Sequence, residues 1–361
     1  MMRTALDPIP DFARLQTAIC PNTVLIFGGD RMRRRDFVKL FAGTTVAWSS
    51  VAGAQQLPSP ARIGWMSLVT TGASDPFMDA FRKGMIELGY VEGQNFLMEP
   101  RYGAGKFELM VEQATELERA GVDVIIAGPF DALRAAKQST NRVPIIMTPS
   151  ADPVTTGIVA SLDHPGGNIT GITEMMPELT PERLRLLKQI IPALSRVAIM
   201  WRPGTLSEEA FRQMIGETRA TASQLGVEVE IVEAAEVKDF DAAFAAMAKA
   251  HVEALIVLVN PMYVAQRKQI VDRANDLHIS GIYEWRFFVQ QGGLISYGAD
   301  VFDIYRRAAG LVDKILKRAR PAELPVEKAT KVEMSVNIKS AQSLGLTIPE
   351  AIVRQAVAVV K

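Results

Sequence analysis

The residues able to do chemistry in this sequence are hydroxyls, carboxylates and aromatics placed just beyond short apolar runs. Ser67, Thr70 and Thr71 follow the run Arg62–Met66, in a hydroxyl-rich loop that precedes a helical pattern. Such a loop offers hydroxyls and free backbone N–H groups to an anionic group, or it simply caps the helix. Gly128 and Phe130 follow the run Asp123–Ala127, and Ser150 and Asp152 follow Val143–Met147. Glycine there permits close approach, Phe130 could stack on a ligand, and Asp131 reads as a helix N-cap. A carboxylate at Asp152 could hold an ammonium group or cap the turn before Pro153. Further along, Pro203, Asn260, Tyr263, Tyr283, Glu284 and Trp285 stand in corresponding places after three more apolar runs. Aromatics, an acid and an arginine in these loops suit a small polar ligand with an apolar or aromatic part, although each aromatic alone also reads as core packing.

Catalytic chemistry finds little support. No G-x-S-x-G, G-x-x-x-x-G-K-[ST] or H-E-x-x-H pattern is present, and His164, His251 and His278 have no nucleophile at a recognisable spacing. One cysteine and three scattered histidines exclude a disulfide framework and a Cys/His zinc cluster, so no metal or cofactor is expected. The 40 basic residues balance 40 acidic ones, which removes the electrostatic reason to expect nucleic-acid binding.

The elements that must position these residues alternate. Strands are predicted at 62–66, 95–102, 123–127 and 143–147, with helices at 76–88, 107–120 and 131–139. The order returns with strands at 196–200, 227–232, 254–259 and 279–283, and helices at 208–225, 240–250 and 263–277. The offset between halves stays close: 62 to 196, 123 to 253, 143 to 279. Short apolar strands between amphipathic helices mean α/β architecture with parallel sheets covered on both faces. A half-chain repeat with an irregular link favours two tandem Rossmann-like lobes over a single (β/α)₈ barrel.

The first lobe is expected over 62–165 and 299–322 and the second over 172–292 and 330–361. A three-segment hinge would cross near 150–172, 292–300 and 323–335, letting the lobes bend as rigid bodies. The helix 301–317 should pack back on the first lobe. In an open parallel sheet ligands bind beyond the carboxyl ends of the strands, so two facing lobes make a cleft lined by the residues above.

The N-terminal 54 residues read as an address. Arg33-Arg34-Arg35-Asp36-Phe37-Val38-Lys39 precedes a mildly apolar stretch to Ala54, ending in Ala52-Gly53-Ala54, an A-x-A cleavage signature. The stretch falls short of the about 20 apolar residues a membrane span needs. The twin arginine resembles a Tat export signal, with Met32 as the expected start and cleavage after about Ala54. Removing seven basic and four acidic residues would leave 33 against 36, and no cysteine. The product is expected to be periplasmic, monomeric and without a membrane anchor.

Several long segments carry a family resemblance: Asp152-Pro153-Val154 through PGGNITG (165–171), RFFVQQGGLISYGAD (286–300) and PAELPVEKATKVEMSVNIKSAQSLGLTIP (321–349). The chain resembles bacterial ABC-transporter solute-binding proteins of the group that includes the tryptophan-binding component TrpX. The resemblance implies a type I periplasmic-binding fold, a cleft that closes on its solute, and delivery to a membrane permease with its ATPase. It suggests an amino acid (aromatic or branched) or a related carboxylate as solute. Thr70, Thr71 and the Gly128–Phe130 backbone would take the carboxylate, Asp152 or Glu284 the ammonium, and Phe130, Tyr263 or Trp285 the side chain. A periplasmic sensor serving a chemoreceptor or kinase, and a periplasmic enzyme, are the alternatives.

Overall fold

The computed structural model describes residues 59–67, 76–103, 106–128, 130–174 and 176–361. The strands are β1 (Ala61–Ser67), β2 (Phe96–Tyr102), β3 (Val124–Ala127), β4 (Ile145–Ser150), β5 (Ile169–Thr173), β6 (Arg196–Trp201), β7 (Glu228–Glu233), β8 (Ala254–Val257), β9 (Ser280–Tyr283), β10 (Ile295–Ala299), β11 (Glu327–Lys328), β12 (Val332–Asn337) and β13 (Ala358–Val360). The helices are α1 (Pro76–Glu87), α2 (Phe107–Ala120), α3 (Phe130–Ser139), α4 (Met176–Ile190), α5 (Glu208–Leu225), α6 (Phe240–Lys249), α7 (Pro261–Ala265), α8 (Arg267–Asp276), α9 (Arg286–Val289), α10 (Val301–Leu316), α11 (Ile338–Ser343) and α12 (Glu350–Gln355).

Two sheets result, ordered β11-β5-β4-β3-β1-β2 and β13-β12-β10-β9-β8-β6-β7. The core of the first, β2-β1-β3-β4-β5, has the same order as β7-β6-β8-β9-β10 in the second, so the repeat in the sequence is a repeat of topology. That order is a doubly-wound one, with its switch point between the first and third strands of each half. The central strands β3 and β8, VIIA and ALIV, are buried along their whole length. Covering both faces with helices is what such unbroken apolar runs require.

Local signals explain the helix ends. Gly121 and Gly226 stop α2 and α5 in the left-handed conformation, at φ 70° and 65°. Ser207 starts α5 by accepting the Ala210 N–H on its hydroxyl.

The hinge differs in detail from expectation. Residues 150–172 do not form the first crossing, because 169–173 is β5, fully buried and parallel to β4. The Pro- and Gly-rich run before it disguises a strand whose Gly171 is there for contact: a Cβ would stand 2.3 Å from the Met147 carbonyl oxygen. The first sheet therefore extends to Thr173, and the chain passes over at Glu174. Likewise 295–299 is β10, a strand of the second sheet, and the second passage follows at Asp300, which N-caps α10. The third runs from β11 in the first sheet to β12, antiparallel to β10, in the second. The passages are tied together: Asp300 N–H donates to Lys331 O, and Ala329 N–H to Thr173 O. Helix α10 packs against α1, as expected. The predicted helix 263–277 is two, α7 and α8, and α4 has no counterpart among the predicted helices, Pro181 standing inside it.

Candidate functional site

The carboxyl ends of β4, β6, β8 and β9 converge on a narrow cavity of about 30 Å³. One wall is Pro149–Ala151 from the first lobe, and Glu174 of the first hinge passage closes one side. The other wall is Thr205, Val259–Pro261 and Trp285 from the second lobe. Three of these residues carry a buried polar atom with no protein partner: Ser150 Oγ, Thr205 Oγ1 and Asn260 Nδ2. Leaving a buried polar atom unsatisfied costs about 1–3 kcal/mol. Three around one cavity mark a place built to meet a polar molecule. Asn260 Oδ1 is already used, accepting the Tyr263 N–H at 3.0 Å, which fixes the amide's other end toward donation.

Charge gathers on one side. Arg183 from α4 and Glu284 from the end of β9 are 1% and 2% exposed and lie 3.3 Å apart. The guanidinium also donates to Tyr297 O through Nε at 2.8 Å and to Thr180 Oγ1 through Nη1 at 3.2 Å. Burial pushes the Glu284 carboxyl up to about 7, against the pull of Arg183 and a hydrogen bond from the Val259 N–H. Burial and the nearby Glu284 charge push Glu174 up to about 8, Arg183 again opposing. Burial also lowers Arg183, although both carboxylates favour its charge.

Polar and aromatic contacts join the two lobes across the cleft. Ser207 donates its hydroxyl to Asp152 Oδ2 at 2.9 Å, and the Thr155 and Ser207 hydroxyls are 2.6 Å apart. Asp131 and Arg202 approach to 3.9 Å. Phe77, at the start of α1, meets Trp285 edge-on at 6.2 Å and Phe287 at 5.7 Å.

The structure thus brings Ser150, Asn260 and Trp285 together around the cavity, with Glu284 paired behind it. Ser67 is buried at the end of β1, its carbonyl accepting the Gly103 N–H. Thr70 and Thr71 lie outside the described residues. Gly128 ends β3 where only a glycine fits, since a Cβ would fall 1.2 Å from the Thr148 carbonyl oxygen. Phe130 opens α3. Asp152 serves the turn: Oδ1 accepts the Thr155 N–H at 3.2 Å and Oδ2 takes Ser207. Tyr263 is core, its ring against Phe240 and its hydroxyl donating to Ala234 O at 2.9 Å. Tyr283 is core too, fully buried and stacked on Phe288. Pro203 is exposed in a separate groove beside the Trp201–Phe211 stack. In both tyrosines the ring points into the lobe, which alternation along a short loop does not reveal.

Sequence reasoning missed Glu174, Arg183, Thr205 and Phe77. Glu174 carries a signal, a carboxylate directly beyond a strand, hidden because the Pro- and Gly-rich run before it makes β5 look like linker. Among the described residues no group of three or more His, Cys, Asp or Glu could hold a metal ion. The histidines are exposed, His251 and His278 at helix ends with positive φ. What remains is a narrow inter-lobe cavity edged by unpartnered polar atoms, with a buried charged cluster beside it.

Comparison with known proteins agrees with that geometry. The family model described as ABC transporter substrate binding protein matches residues 62–360. The tyrosine-binding protein of Clostridioides difficile (strain R20291) is 23% identical over 284 residues, spanning 79% of this chain and 81% of that protein. A crystal structure of the ABC domain from Streptococcus pneumonia in complex with L-Trp superposes with a TM-score of 0.74 at 25% identity, covering 84% of this chain and 100% of that one. A conserved domain protein from Vibrio cholerae gives 0.73 at 24% identity, covering 83% and 99%. The architecture is that of the type I periplasmic binding proteins.

Proposed function

The chain belongs to the family of ABC transporter substrate-binding proteins, and from that premise we propose that it closes on an amino acid, aromatic or branched, or a related small carboxylate. It hands that solute to a membrane permease and its ATPase, and performs no chemistry on it. The observation that carries this reading is the inter-lobe cavity with Ser150 Oγ, Thr205 Oγ1 and Asn260 Nδ2 unpartnered around it. Trp285, 6% exposed, supplies an apolar wall of the kind that ligand sites combine with a few fixed polar groups. The amino-acid ligands in the names of the two relatives above support the same class.

Function outside the cytoplasm follows from the twin-arginine segment and the A-x-A signature ending at Ala54, residues outside the described part. Among the described residues no helix is long and apolar enough to cross a membrane.

A thermal-shift screen of amino acids, aromatic acids, peptides and sugars tests the proposal. A ligand at about 1,000 times its Kd stabilises the protein by about 4 kcal/mol, which raises the melting temperature by several degrees. The expected hits are confined to amino acids and related carboxylates. Hits confined to sugars or peptides would overturn the solute class, and turnover of a bound ligand, followed by mass spectrometry, would overturn the absence of chemistry.

A further inference from the structure

Two acids and one base share the buried cluster behind the cavity, and the base is committed. Arg183 sits 3.3 Å from Glu284 and spends further N–H groups on Tyr297 O and Thr180 Oγ1. Glu174 is 9% exposed, borders the cavity, and has no ion-pair partner within 4.0 Å among the described residues. The other charges facing it are mostly negative. Asp152 stands on the turn after β4, Glu178 on α4 is tied to Lys328 of β11 at 3.5 Å, and Glu209 and Glu217 lie on α5. A carboxylate in such a place meets its deficit by keeping a proton or by receiving a cation from outside.

We propose that Glu174 is the residue by which the cleft selects an amino acid over the same side chain bearing a carboxylate alone. The ligand's ammonium enters against the Glu174 carboxylate as the proton held there leaves for solvent, so the charge of the cluster is unchanged by binding. Ser150 Oγ, Thr205 Oγ1 and Asn260 Nδ2 remain for the ligand's polar atoms, and the Arg183–Glu284 pair stays intact behind. This inference rests on the amino-acid reading above and adds a consequence that reading does not contain: binding releases a proton. Burial raises the Glu174 carboxyl to about 8, so its competent, ionised fraction grows across the neutral range. Apparent affinity scales with the competent fraction, and the expected gain from pH 6 to pH 8 is about tenfold or more.

Titration calorimetry of the full chain tests this with two matched series. The first is L-tryptophan, L-tyrosine, L-phenylalanine and L-leucine; the second is the corresponding deaminated acids, such as 3-phenylpropanoate and indole-3-propanoate. Each is measured at pH 6, 7 and 8, in buffers of different ionisation enthalpy. Expected are binding of one or more amino acids, at least tenfold weaker binding of the deaminated partner, tightening with pH, and release of about one proton at pH 7. Glu174→Gln should lose the discrimination, the proton release and the pH dependence together. A structural role alone would lower its melting temperature and leave the ratio between the two series unmoved, which overturns the inference. Wild-type binding without proton release or pH dependence overturns it as well, and needs no variant to fold. Deaminated acids binding as tightly as amino acids refute Glu174 as selector yet leave a solute receptor standing. Failure of both series refutes the amino-acid reading itself.

Discussion

Replacing Arg183 by methionine would remove the cation 3.3 Å from Glu284 while keeping a long side chain in the space. Both residues are almost wholly out of solvent, so no screening discount applies. Two unit charges at that distance attract by about 5 kcal/mol at an effective dielectric constant of about 20. Breaking a buried pair by deleting one member costs about 3–5 kcal/mol, because the other charge is stranded. The Tyr297 carbonyl and the Thr180 hydroxyl lose a donor as well. The melting temperature of Arg183→Met should fall on the order of 10 °C.

The pH dependence has a definite sign. Glu284 is held above its ordinary value by burial, and losing Arg183 raises it further. An acid whose folded value exceeds its unfolded one binds more protons when folded. Its penalty is absent below the unfolded value and grows as pH rises toward the folded one. The deficit of Arg183→Met should therefore be smaller at pH 5 than at pH 8, and Arg183→Met/Glu284→Gln should recover much of it. Scanning calorimetry at the two pH values is the assay. A variant melting within 2 °C or so of the parent at pH 8 would refute the reasoning, since a stranded buried charge cannot be worth so little.

Other expectations follow from the packing. Gly128→Ala forces β3 and β4 apart, since its Cβ would fall 1.2 Å from the Thr148 oxygen; a loss of about 3 kcal/mol or more is expected. Gly167→Ala, with nothing within 4 Å of its Cβ, should be within about 1 kcal/mol of the parent, both glycine variants being measured by denaturant titration. Ser207→Ala removes both the α5 cap and the bridge to Asp152, costing about 1 kcal/mol and weakening ligand binding severalfold. Asp152→Asn keeps the cap and alters only the bridge, so its melting point should barely move. A tenfold loss of amino-acid affinity there, beside full affinity for deaminated acids, would transfer the ammonium contact from Glu174 to Asp152.

The alternation of elements was legible because each strand and helix carries its own pattern. Helix 208–225 was bounded to the residue, its N-cap serine and C-terminal glycine being local signals. The half-chain repeat foretold two sheets of like order. β5 was not legible, since Gly171 looks like a breaker until Met147 of the neighbouring strand is seen pressed against it. β10 and β12 escaped for a related reason: an antiparallel pair formed from segments on either side of α10 has no short-range signature. Of the cavity residues, Ser150, Asn260 and Trp285 stand directly beyond strand ends, where position alone marks them. Tyr263 and Tyr283 occupy similar places yet point into the core.

The sequence by itself determined the α/β class, the tandem lobes, the lack of motif-borne chemistry and the strand ends from which a site would be built. These depend on periodicity, composition and caps, all read within a turn or a strand. Tertiary structure alone decided that Glu174 borders the cavity, and that Arg183 is committed to a carboxylate 101 residues away. It also decided that Asp152 bridges to Ser207. Burial and charge pairing depend on which distant elements meet. In parallel sheets every neighbouring strand is brought in through a crossover, so those meetings are written in no single stretch of chain.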